Sequence, residues 1–171
     1  MASAAQQKDV RPVRPIVQRK RKFLVVVDHS PESRVAIRFA SGRAAHVEGG
    51  VLVLIHVIPP AEFQHWMAVE DHLREESYAK AEKLLSGIAD EVYDYTGTMP
   101  VIAMLEGQPK EALEKFLDEE EDLFALFLAS STDGDPGPLV NYFSGPLSGT
   151  LHCPVVIVPG CLSDEEIDDM T

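Results

Sequence analysis

Phe23-Leu24-Val25-Val26-Val27-Asp28-His29-Ser30-Pro31 is the stretch on which the fold turns. Unbroken apolar, largely β-branched residues follow directly on the charged run Arg19 to Lys22. That pattern suits a strand buried on both faces, as in a parallel sheet, rather than the alternation of a half-exposed antiparallel strand. The strand is predicted to end at Asp28. Ser30 is a favourable helix N-cap and Pro31 fits the first helical position, so a helix is expected to run to about His46. Val35, Ala36, Phe39, Ala40 and Ala44 line its inner face, and the alanines permit close packing on the sheet.

Working outward, Gly49-Gly50 break the chain before a second buried strand, Val51 to Ile58, which Pro59 and Pro60 stop. The following loop, Ala61 to about Met67, carries Phe63, His65 and Trp66, as a lid over a neighbouring crevice, as a partner contact, or as packing on the next helix. From about Ala68 to Val92, Leu73, Ala81, Leu84, Leu85, Ile88 and Val92 recur at helical spacing. Pro100 to Leu105 reads as a third strand, Pro109 to Glu120 as an amphipathic helix, Leu123 to Leu128 as a fourth strand and Pro154 to Val158 as a fifth. Glu119 to Asp122 reads as a solvated helix end. Between Ala129 and Cys153 the glycines and prolines allow only a short or broken helix. Strands alternating with helices imply right-handed parallel crossovers and a doubly wound α/β domain over residues 23–159.

The chain has 171 residues, 45% hydrophobic and 25% charged, which is ordinary for one globular domain able to bury roughly 70% of its unfolded surface. Cys153 and Cys161 are too few for a disulfide framework and match neither a zinc pair nor a CxxC pair, and no set of metal ligands stands out. With no signal-like or membrane-spanning run, a cytoplasmic location is expected. The net charge of −13 divides unevenly, with residues 1–22 at about +6 and the remainder at about −19. The basic N-terminal tail holds Pro12 and Pro15 and is expected to be disordered; the acidic end, residues 160–171, is expected to be mobile. So acidic a domain repels nucleic acid and gains nothing on an anionic membrane.

In open α/β sheets, ligands bind beyond the carboxyl ends of strands where the winding reverses. The candidates are therefore Asp28, His29 and Ser30 after strand one, and Ala129, Ser130, Ser131 and Thr132 after strand four, with Gly134 beyond. Asp28 offers a carboxylate acceptor for an adenine amino group or a ribose hydroxyl, or else caps the helix it precedes. Neighbours in sequence seldom converge as a nucleophile and its base, and no G-x-S-x-G elbow occurs, so hydrolysis is not expected. Cys153, directly before Pro154, reads as a small buried residue, and His56 as a hydrogen-bonded core histidine.

At this point the chain resembles the universal stress protein family. Val25-Val26-Val27-Asp28-His29-Ser30 matches the family's opening strand and D-x-S turn, and Ile55-His56-Val57 its second strand. Gly107-Gln108-Pro109, Asp122 to Ser130, and Cys153-Pro154-Val155-Val156-Ile157-Val158 match later signatures in the right order. The resemblance implies the adenine nucleotide alpha hydrolase-like fold, a five-stranded sheet of order 3-2-1-4-5. It also implies that Asp28 and Val57 hold the adenosine end of ATP or another adenine nucleotide, with Mg²⁺ accompanying the phosphates. Nucleotide-binding members carry G-x-x-G, a spacer and G-(S/T) as a phosphate cradle. Aligned by strand position, the first two glycine slots hold Ala129 and Thr132. A literal Gly134-x-x-Gly137 occurs further on, but the glycine slot after its spacer holds Leu147, and Gly145-Pro146 and Gly149-Thr150 stand at other spacings. Residues 129–153 contain no Lys or Arg and do contain Asp133 and Asp135. Backbone N–H groups of residues 130–134 could form an anion nest, although the residue types do not call for one.

Val155, Val156, Ile157 and Val158 are apolar throughout, and as the last strand they should lie at a sheet edge, open to another chain. A homodimer through that edge is expected, and the resemblance implies the same. The leading expectation is a dimeric regulatory or binding module in stress response with a partly degenerate adenine-nucleotide site. The rivals are a competent ATP-binding switch or slow ATPase, and a protein-interaction module without nucleotide.

Overall fold

A computed structural model describes residues 20–60 and 67–171. Strands β1 (Arg21–Val26), β2 (Gly50–Ile58), β3 (Val101–Glu106), β4 (Leu123–Ser130) and β5 (Val155–Pro159) alternate with helices α1 (Pro31–Ala45), α2 (Met67–Thr96), α3 (Pro109–Glu119), α4 (Pro138–Ser144) and α5 (Asp164–Met170). All pairings are parallel, in the order β3-β2-β1-β4-β5, which is the doubly wound arrangement read from the sequence.

Both faces of the sheet are covered, which is why its central strands are apolar without interruption. Phe23, Val25, Leu52, Leu54 and Phe127 point to one side and pack with Ala36, Ile37 and Ala40 of α1 and Leu85, Ile88 and Val92 of α2. Leu24, Val53, Ile55, Leu126 and Leu128 point to the other and meet Leu113 and Leu117 of α3 and Val140 and Phe143 of α4. The alanines of α1 bring its backbone close to β1 and β4, as their spacing predicts.

Several boundaries move. The ladder of β1 runs past its last formal residue, because the Val27 N–H donates to the Ile55 carbonyl at 2.7 Å, leaving Asp28 as the first residue beyond it. β4 is longer than predicted and carries Ala129 and Ser130 inside it, paired with Val158 and Pro159 of β5. Between β4 and β5 there is only the short α4 and one 3-10 turn, Pro146–Gly149.

The acidic C-terminal stretch, expected to be mobile, is instead helical. Ser163 caps α5 and forms a reciprocal capping box with Glu166, while Ile167 is wholly buried. Arg38 of α1 forks onto Asp168 at 3.0 and 2.7 Å and lies over the Tyr95 ring, whose hydroxyl donates to Asp168 at 2.7 Å. Arg38 and Tyr95 together hold the Asp168 carboxyl below the usual carboxylate range. The N-terminal tail up to residue 19, and Phe63, His65 and Trp66, lie outside the described residues, as does the side chain of Leu73. No described helix is long and apolar enough to cross a membrane.

Candidate functional site

The winding reverses between β1 and β4, and a cleft of about 260 Å³ opens there at the carboxyl ends of the strands. One wall comes from Val26, Asp28, Ser30 and Glu32, and a second from Leu128, Ala129 and Ser131. Pro136 to Val140, the entry to α4, close the third side. A hollow of about 270 Å³ between α1, α2 and α5 is similar in size, but its charges are already paired, Arg34 with Glu91 at 3.2 Å and Arg38 with Asp164 at 3.6 Å. Topology favours the cleft at the reversal.

The β1–α1 turn is held by short side chains. The Ser30 N–H donates to Asp28 Oδ1 at 2.8 Å, and the Ser33 N–H donates to Ser30 Oγ at 3.2 Å. Ser33, buried, receives the Asp28 N–H on its Oγ at 3.2 Å and donates to the Val26 carbonyl at 3.4 Å. Asp28 thus both steadies the turn and lines the cleft. His56 Nδ1 lies 2.8 Å from the Val27 carbonyl, which can only accept, so Nδ1 carries the proton. The ring is hydrogen-bonded as expected but half-buried rather than part of the core, and His29 meets it edge-on with centroids 6.4 Å apart.

The β4–α4 loop satisfies several of its donors internally. The Ser131 N–H donates to the Pro136 carbonyl at 3.3 Å and the Asp133 N–H to Ser131 Oγ at 3.2 Å. Asp135 Oδ1 accepts from the Gly137 N–H at 3.0 Å and from Asn141 Nδ2 at 2.8 Å, which together lower its carboxyl below the usual range. Glu32 reaches the same loop from α1. Its own backbone N–H, the Ser131 and Ser30 hydroxyls and the Thr132 N–H stabilise its carboxylate and lower its pKa. The stem of Glu32 is wedged against Gly160: a β-carbon on that glycine would stand 2.4 Å from Glu32 Cγ and 2.8 Å from the Ser130 carbonyl oxygen.

Of the residues singled out from the sequence, Asp28, Ser30, Ala129 and Ser131 come together in the cleft. His29, Val57, Ser130, Thr132 and Gly134 do not line it. Val57 packs half-buried on the α3 and α4 side of β2, and the Ser130 carbonyl accepts the Gly160 N–H at 2.9 Å. Gly134 is exposed with φ +93°. Sequence reasoning missed Glu32; an acid in the first turn of a helix reads as a partner for the helix dipole and hides any other role. Burial pushes the Cys153 thiol up, in keeping with a packing residue. β5 pairs with β4 on one side only, leaving Ile157 42% exposed while Val158 is buried.

The sequence profile of the universal stress protein family matches residues 20–159. The chain belongs to the universal stress protein family. No curated protein is significantly similar in sequence. Among solved structures, universal stress protein UspA from Lactobacillus plantarum superposes with a TM-score of 0.65 at 18% identity, covering 82% of this chain and 98% of that one. A universal stress protein family protein from Arabidopsis thaliana with AMP bound gives 0.56 at 15% identity, covering 85% and 94%. The universal stress protein from Archaeoglobus fulgidus in complex with dAMP gives 0.56 at 18% identity, covering 83% and 99%. At these identities the likeness establishes the family's fold, the one derived above from strand order.

Proposed function

We propose that this universal stress protein family member is a cytoplasmic regulatory module without turnover, which binds an adenine-based ligand in the cleft between β1 and β4. The observation that carries this reading is the meeting of Asp28, Ser30, Ala129 and Ser131 at the winding reversal, with a carboxylate ready to accept a ribose hydroxyl or an adenine amino group. The adenine nucleotides held by the Arabidopsis and Archaeoglobus relatives point to the same ligand class. Retained ligand shows as excess absorbance at 260 nm in purified, desalted protein, and calorimetric titration with adenosine, AMP and ATP with Mg²⁺ measures the affinity. Saturable binding by at least one of them, abolished by Asp28→Ala, is the expected result. No binding by any of the three would end this reading and favour the interaction module.

The module works as a homodimer joined through β5. An edge strand with one unpaired backbone side and an exposed Ile157 supports this, since a second copy would cover both. Light scattering should give a dimer at micromolar concentration and a monomer for Val156→Lys; a monomer in both would remove the dimer from the proposal.

A further inference from the structure

The geometry points to a cleft that selects an uncharged adenosine-class nucleoside over its phosphorylated forms, with Glu32 as the residue that sets this selectivity. The inference rests on the adenine-site reading above and adds to it which members of that class are admitted.

A phosphate needs donors, positive charge or both. Residues 129–153 supply no Lys or Arg, so any anchoring in this loop falls to backbone N–H groups and hydroxyls. The chain already uses several of them. Asp135 takes the Gly137 N–H, and Ser131 and Asp133 close on Pro136 and Ser131, while Glu32 sets its own carboxylate in the cleft wall beside Ser131. An incoming phosphate would have to displace the Asp135 carboxylate to reach the Gly137 N–H, and in the cleft it would lie beside Glu32 and Asp28. Glu32 lines the cleft with its stem packed against Gly160, where an added β-carbon would stand 2.4 Å from Glu32 Cγ. Asp28, Asp133 and Asp135 add further negative charge near the mouth, and Ala129 and Thr132 carry side chains where the resemblance calls for glycine. A triphosphate with Mg²⁺ does not fit this set of residues. A ribose, by contrast, brings hydroxyl donors to a cleft rich in oxygen acceptors, and an adenine brings an amino group.

Calorimetric titration of the full chain with adenosine, AMP and ATP with Mg²⁺ tests this, repeated for Glu32→Gln and for Glu119→Gln as a matched loss of charge at the far end of the sheet. The unmodified protein should bind adenosine at least ~10-fold more tightly than AMP, with ATP weaker still, and added salt should narrow the gap. Glu32→Gln should shrink the adenosine-to-AMP ratio several-fold, while Glu119→Gln should leave that ratio where it is. AMP binding as tightly as adenosine, or a ratio that ignores Glu32→Gln, would overturn the assignment while leaving the adenine site standing. Absence of binding by all three ligands to every variant would instead overturn the adenine site, and this selectivity with it.

Discussion

The two loops that frame the cleft reach rigidity by different routes. In the β1–α1 turn, Asp28, Ser30 and Ser33 bond to backbone groups two to seven residues away, so the conformation is written locally. In the β4–α4 loop, Gly134 and Gly137 take left-handed backbone conformations that would leave the chain slack. Order there comes from Asp135 within the loop and from Glu32 and Gly160, which arrive from α1 and from the turn after β5. A locally written turn can keep its form while its neighbours change. A loop tied by remote carboxylates ties its stability to the same charges that decide what may enter the cleft.

The sharpest way to break this contrast is Gly160→Ala. The added carbon meets the backbone oxygen of Ser130 as well as Glu32, so a loss of about 1–3 kcal/mol is expected in urea unfolding. Gly87→Ala in α2, where a β-carbon meets nothing within 4 Å, should instead stabilise by about 0.5–1 kcal/mol. Ser30→Ala removes a cap from the local turn and should cost about 1 kcal/mol, read from the same urea transitions; no loss would mean the turn is held from elsewhere. The smallest effect is in pH. Glu32 and Asp135 have carboxyls lowered by their hydrogen bonds, so their contribution is present above the ordinary carboxylate pKa near about 4 and disappears as pH falls through the lowered values. The thermal midpoint should therefore decline less steeply below about pH 5 in the Glu32→Gln, Asp135→Asn double variant than in the unmodified chain.

The fold was legible because burial on both faces leaves an unmistakable trace: Phe23 to Val27, the second-strand run to Ile58 and Leu123 to Leu128 are apolar at nearly every position. Asp28 and Ser30 were legible for a related reason, since strand end and helix cap fall within three consecutive residues. Glu32 was not, because Ser131 and Gly160, which the fold brings beside it, lie about a hundred or more residues away and nothing in a linear reading joins them. The C-terminal helix lies between these cases. Its net charge suggested a solvated tail, yet Ser163-x-x-Glu166 followed by Ile167 is a capping box with an apolar anchor, a signal that composition masked. The cost of so much like charge is offset by Arg38, a partner on α1 that sequence spacing does not reveal.

Strand order also governs how this chain must assemble in time. β1, the central strand, finds β2 early, with Phe23 opposite Leu52, but its other edge waits for Ala125. During synthesis this central strand, already joined to one neighbour, keeps an open row of backbone donors and acceptors until β4 emerges. Conditions that slow elongation between these strands prolong the interval in which another chain can take that place, so yield on expression will depend on how quickly the second half of the sheet follows the first.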